Sequence, residues 1–236
     1  LFYVGQLSKQ EVKDRLNKGR LFDRSLKPSL SPKVQNPVFP DEPLIYYIHD
    51  ENVVQSQIYF GFPGKNSLEK DRSDAQAFNA YFGSGMSSII FQEIREFRSL
   101  AYSAYGVYRV PFRLDNPGYF IGYVGTQADK SLEAIAAYME LMTDFKHKPQ
   151  RLETIRSGLI QSISSSRPRF RAYPGVVSNW IKQGYSEDPN RATLQAFEQI
   201  VFDDIEQFFS KAIQKTPYVI ALVVNKNRVD LDQLLP

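Results

Sequence analysis

The chain has 236 residues, 42% of them apolar and 23% charged, the balance of an ordinary globular protein rather than a disordered or fibrous one. Its 29 basic and 26 acidic residues leave a net charge of +3, too near balance to point to nucleic acid or an anionic membrane. No apolar run approaches the roughly 20 residues that a membrane-spanning helix needs, and the absence of cysteine excludes disulfides and thiolate metal sites while leaving the compartment open.

The sequence opens LFYVGQL, with neither an initiator methionine nor the basic-then-apolar pattern of a signal peptide, and reads as a piece of something longer. Residues 2–4 are a short apolar run suited to a strand. Ser8 then offers an N-cap to a helix carrying Val12 and Leu16, with Gly19 as its C-cap. One strand and one helix bury no core alone, so residues 1–26 read as the tail of a preceding domain. Five prolines, Pro28, Pro32, Pro37, Pro40 and Pro43, make 27–43 an extended linker. Residues 44–236 then form the main domain.

LIYYIHD and VVQSQIYFGFPG read as strands, with Gln55, Gln57 and Tyr59 alternating against Ser56, Ile58 and Phe60. Asp71 or Ser73 is placed to cap a long helix whose apolar stripe is Phe78, Tyr81, Phe82, Met86, Ile89, Ile90, Ile94 and Phe97. Gly83 and Gly85 interrupt that stripe, which implies a kink or two abutting helices. AYSAYGVYRVPF and GYFIGYVGTQ are two strands joined through the turn signal LDNPG. Helices follow over 131–145, from about Gln150, around Trp180 and across 191–214, and YVIALVVN closes the domain as a strand. This order argues an α+β fold: two layers, a largely antiparallel sheet with helices packed on one face.

A hydrolytic zinc site needs about three protein ligands, usually His or carboxylate. The chain has two histidines, His49 and His147, far apart in sequence. His49, beside acids in HDEN, reads as part of a solvated turn. The serine-rich stretches SSISSSRP and GSGMSS lack the pattern of an activated nucleophile. Arg167, Arg169 and Arg171 around Phe170 form at most a weak anion or base grip. The residues supply no complete catalytic centre. Arg95, near the end of a helix, is accounted for by the helix dipole, and Tyr102 by ordinary strand packing.

The segment NAYFGSGMSSIIFQEIREFRSLAYSAYG, residues 79–106, resembles the non-catalytic half of the pitrilysin/insulinase family of inverted-motif zinc metallopeptidases. There a small-residue turn leads to Phe-Gln-Glu-x-Arg-Glu and then Leu-Ala-Tyr-Ser. The likeness extends more weakly over residues 44–236, and LFYVGQLSKQEV resembles the closing strand and helix of the previous domain. Two stretches depart from the pattern: Ile89 and Ile90 stand where Arg is common after the serine pair, and Phe97, Arg98 and Ser99 replace Lys-Arg-Gly.

The resemblance implies an enzyme of two related halves closing around a peptide. Zinc would be bound by the other, N-terminal half through His-x-x-Glu-His, and this half would hold none. Arg95 and Tyr102, seven residues apart, would then reach the substrate, the phenol toward the scissile carbonyl and the guanidinium toward backbone carbonyls. The partners implied are that zinc-binding half and a peptide substrate, with no nucleic acid and no membrane span. The alternative is a pseudo-peptidase or processing-complex subunit that binds peptides or scaffolds. The isolated chain is expected to be inactive.

Overall fold

Alternation decides the sheet. Ser56, Ile58, Phe60 and Phe62 are buried, and Gln57 and Tyr59 between them are exposed, the period of two that a strand with one covered face requires. The computed structural model describes residues 3–19, 37–66, 71–112, 116–213, 215 and 217–230. Residues 27–36 of the expected linker lie outside these, as does residue 2 of the expected first strand. Tyr3 and Val4 are not in a strand. The chain divides into two compact units, Leu1–Asn36 with Ser166–Pro189, and Pro37–Ser165 with Asn190–Pro236.

In the first unit, α1 (Lys9–Lys18) begins at Ser8, whose hydroxyl accepts from the Glu11 N–H while the Glu11 carboxylate accepts from the Ser8 N–H. This reciprocal cap satisfies two of the donors that a helix start leaves open. Gly19 closes the helix, donating to the Arg15 carbonyl. The unit also holds α5 (Tyr173–Lys182), with Pro174 in its first turn.

The second unit is built on a five-stranded sheet. Its strands are β1 (Leu44–His49), β2 (Gln55–Asn66), β3 (Ala101–Arg109), β4 (Pro117–Gln127) and β5 (Val219–Val224), in the order β1-β5-β2-β4-β3. Only the β1–β5 pair is parallel among these, so the largely antiparallel sheet expected from the sequence is borne out. One face is covered by α2 (Asp71–Phe78), α3 (Ser131–Thr143), α4 (Leu152–Ser165) and α7 (Phe202–Ala212), and α6 (Asn190–Gln199) packs against α4 and α2. Its core joins Phe60, Phe62, Phe120 and Leu222 from the strands to Phe78, Phe82, Tyr138 and Phe209 from the helices. Tyr138 stacks on Phe60 with ring centroids 4.0 Å apart. The ring lies over Gly122, where an added Cβ would meet the phenol oxygen at 2.0 Å. On the opposite face Tyr59, Tyr123 and Tyr105 stand in register across β2, β4 and β3, with neighbouring centroids 5.0 and 5.2 Å apart.

The expected long helix is two helices. α2 begins at Asp71, so Ser73 lies inside its first turn and is buried rather than capping. The chain widens to a π-helix over Asn79–Gly83 and breaks at Gly85, whose φ of +88° suits glycine. It then resumes toward a second π-helix, Phe91–Phe97. Met86 sits in the break and Phe97 at the end of the second helix, so both are exposed, not part of the core stripe. Residues 191–214 likewise split, into α6 and α7, at Ile200 and Val201. There the Asp204 carboxylate accepts from the Val201 N–H at 2.9 Å and starts the next helix.

Candidate functional site

The connection from Arg95 to Tyr102 is short and closed. The Leu100 N–H donates to the Ile94 carbonyl at 3.0 Å across the turn. Ser99 takes a left-handed φ of 51° there, a conformation uncommon outside glycine. Leu100 is buried and anchors the turn from beneath. Lys130 donates to the Ser99 carbonyl at 3.5 Å, and Thr126 donates from its hydroxyl to the Leu100 carbonyl.

At the start of β3 the pairing with β4 slips. Ala101 faces Thr126 and Ser103 faces Gly125, so Tyr102 is the extra residue of a β-bulge on the edge strand. Simple alternation would put Tyr102 on the same face as Ala104 and Tyr108, which are buried. The bulge re-aims the residue, and Tyr102 is 55% exposed. Its phenol oxygen accepts from Gln127 Nε2 at 3.0 Å.

Tyr102 lines a cleft of about 580 Å³ with Val54, Gln55, Gln127, Asp129 and Arg228. These come from one end of the sheet, where the start of β2 and the end of β4 pair through Gln55 and Gln127, and from the turn after β5. Arg228 and Asp129 bring charges of both signs. The sequence did not reveal Gln55, Gln127, Asp129 or Arg228, because only strand pairing brings them to Tyr102.

Arg95 lies on the second π-helix with its guanidinium 4.7 Å from the centre of the Phe91 ring and 3.8 Å from the Glu96 carboxylate. Its side chain is 44% exposed. It is not among the residues lining the Tyr102 cleft. The structure thus gives both residues to solvent, and joins them through the Ser99 turn rather than through a direct bond. Next along the chain, Arg98 pairs with Glu140 at 2.8 Å. The Arg98 hydrogen bond, then Lys146, holds the Glu140 carboxyl below its ordinary value.

Among the described residues no group of three or more His, Cys, Asp or Glu is placed to hold a metal ion. His49 ends β1 rather than lying in a solvated turn. Its Nδ1 accepts from the Lys226 N–H at 3.2 Å, and Glu51 stands 3.7 Å from its Nε2. His147 meets Glu206 at 3.4 Å. Among the described residues, no helix is long and apolar enough to cross a membrane.

The chain is 35% identical over 105 residues to an uncharacterized zinc protease of Rickettsia bellii, covering 44% of this chain and 24% of that protein. In fold it is similar to the crystal structure of a peptidase M16 inactive domain from Pseudomonas fluorescens, with a TM-score of 0.69 at 17% identity, covering 84% of this chain and 47% of that one. A protease from Helicobacter pylori gives a TM-score of 0.68 at 18% identity, covering 94% and 53%. The chain therefore spans about a quarter of the length of that curated relative and about half of these solved chains. The family model described as the peptidase M16 inactive domain matches residues 1–159, and the resemblance read from residues 79–106 falls within that match. A match over that share of the sequence, with the five-stranded fold beneath it, means that the chain belongs to the peptidase M16 inactive-domain family.

Proposed function

We propose that the chain is the zinc-free half of a metalloendopeptidase, completing a peptide-binding chamber against a zinc-bearing half and supplying Arg95 and Tyr102 to the substrate. The observation that carries this reading is the bulge at Tyr102, which turns an aromatic of an edge strand out of the core and into a cleft. A bulge beside a cleft is a common way to aim a catalytic side chain.

In this reading the Tyr102 phenol donates to the scissile carbonyl oxygen as negative charge develops there. A preset donor of this kind strengthens its bond in the transition state and so accelerates the reaction. Arg95 pairs with Glu96 at 3.8 Å, with both side chains nearly half exposed, and an exposed pair of this kind is weak enough to give way to a substrate. The arginine's planar fork of donors suits backbone carbonyls of an extended peptide. The metal chemistry lies with the other half, and nothing that this chain contributes depends on a metal ligand of its own.

The test is reconstitution. The isolated chain should leave an internally quenched peptide uncut and retain no stoichiometric zinc on elemental analysis. Joined to its zinc-bearing half it should cleave the peptide. Equal cleavage by the zinc-bearing half alone would assign this chain a scaffolding role instead.

A further inference from the structure

A phenol has one hydrogen to donate and two lone pairs to receive bonds. Gln127 Nε2 donates to the Tyr102 oxygen at 3.0 Å. That contact occupies a lone pair and leaves the phenol's hydrogen unused; no acceptor among the described residues takes it. A hydrogen bond received at oxygen also polarises the O–H and makes it a stronger donor.

Gln127 is well placed for this task. It is the last residue of β4 and pairs with Gln55 of β2. Thr126 on one side of it is buried and tied to the Leu100 carbonyl, and Ala128 on the other is buried. The backbone of Gln127 is thus fixed from both directions. Tyr102, by contrast, occupies the unpaired position of a bulge on an edge strand and is more than half exposed, so few neighbours restrict its ring.

We infer that Gln127 is a positioning residue for Tyr102: it fixes the phenol oxygen by donating to it and so directs the phenol's hydrogen into the cleft. Its catalytic consequence rests on the reading of Tyr102 as the donor to the scissile carbonyl. The direction of the hydrogen bond is its essential feature, and substitution separates direction from mere contact. Lysine at this position only donates, glutamate only accepts, and leucine does neither.

The experiment places Gln127→Lys, Gln127→Glu and Gln127→Leu beside Tyr102→Phe in the enzyme reconstituted with its zinc-bearing half, assayed on an internally quenched peptide that the wild type cleaves. Gln127→Leu should lower kcat about tenfold with KM unchanged, the effect of one lost oriented bond. Gln127→Glu, which captures the phenol's hydrogen, should lower it at least as far, and Gln127→Lys should restore most of the loss. In the Tyr102→Phe background Gln127→Leu should have no further effect. In the chain alone, the ring carbon bearing the Tyr102 hydroxyl, labelled with carbon-13 and assigned by its loss in Tyr102→Phe, should shift in Gln127→Leu. Turnover kept by Gln127→Glu and lost in Gln127→Lys would reverse the bond and overturn the inference. So would an unmoved Tyr102 signal in Gln127→Leu, whatever the activity. If that signal moves but Tyr102→Phe leaves turnover unchanged, the phenol is positioned but not catalytic, and it is the protease reading that fails.

Discussion

Gly83 lies against the carbonyl of Gly106: a Cβ added to Gly83 would stand 2.0 Å from that oxygen. This approach brings the first π-helix directly onto β3, and the chain between them carries Arg95 and ends in the Tyr102 bulge. Two glycines thus set the distance between the helical layer and the strand that presents the candidate site. Backbone on both sides leaves no flexible side chain to move aside.

Gly83→Ala should therefore destabilise the fold by about 1–3 kcal/mol, the usual effect of an extra carbon forced into a packed contact. Denaturant unfolding checks this, and an unchanged midpoint would mean that helix and strand can separate freely.

Asn79, on the same π-helix, acts as a missing strand for the sheet's edge. Its side-chain oxygen accepts from the Tyr108 N–H at 2.7 Å and its amide donates to the Tyr108 carbonyl at 3.0 Å. Asn79→Ala removes both bonds from a half-buried site and should lower stability by roughly 1–3 kcal/mol. Asn79→Asp keeps the acceptor but faces a carboxylate toward a carbonyl, so it should not rescue the loss. Equilibrium unfolding of the two variants measures both effects.

Features set by local periods were legible in the sequence. Ser56, Ile58 and Phe60 against Gln57 and Tyr59 declare a half-covered strand, and Gly83 and Gly85 declare a break in the helix. Features that depend on distant partners stayed hidden. Met86 and Phe97 fit the helical stripe but fall where the helix has opened or ended. The two π-helical turns shift the spacing that the stripe assumes. The parallel pairing of β1 with β5 joins residues far apart in the chain. Tyr102 and Arg95 stood out only through resemblance, because the bulge is defined by Thr126 and Gly125 on another strand. Gln127, in a generic strand ending, carried no local mark at all.

The loop after α3 carries a pH signature. The Tyr81 hydroxyl donates to the Lys146 carbonyl and accepts from the Lys148 N–H. Burial, the largest cause, pushes its pKa from 10.0 up to about 12. The unfolded chain gives up this proton near pH 10 while the folded protein keeps it until about 12. The associated stability is therefore complete below pH 10 and is lost as the pH rises to about 12. Thermal melts across that range should show a steeper fall for the wild type than for Tyr81→Phe; parallel curves would contradict this.

The central claim concerns one phenol, and Tyr102→Phe in the reconstituted enzyme tests it most directly. The substitution deletes a single oxygen from an exposed side chain, so zinc content and melting temperature should match the wild type. Turnover of the quenched peptide should fall by about 10²–10³. Full turnover, with zinc and folding intact, would contradict the account and leave Tyr102 an aromatic on a bulge with no part in the chemistry.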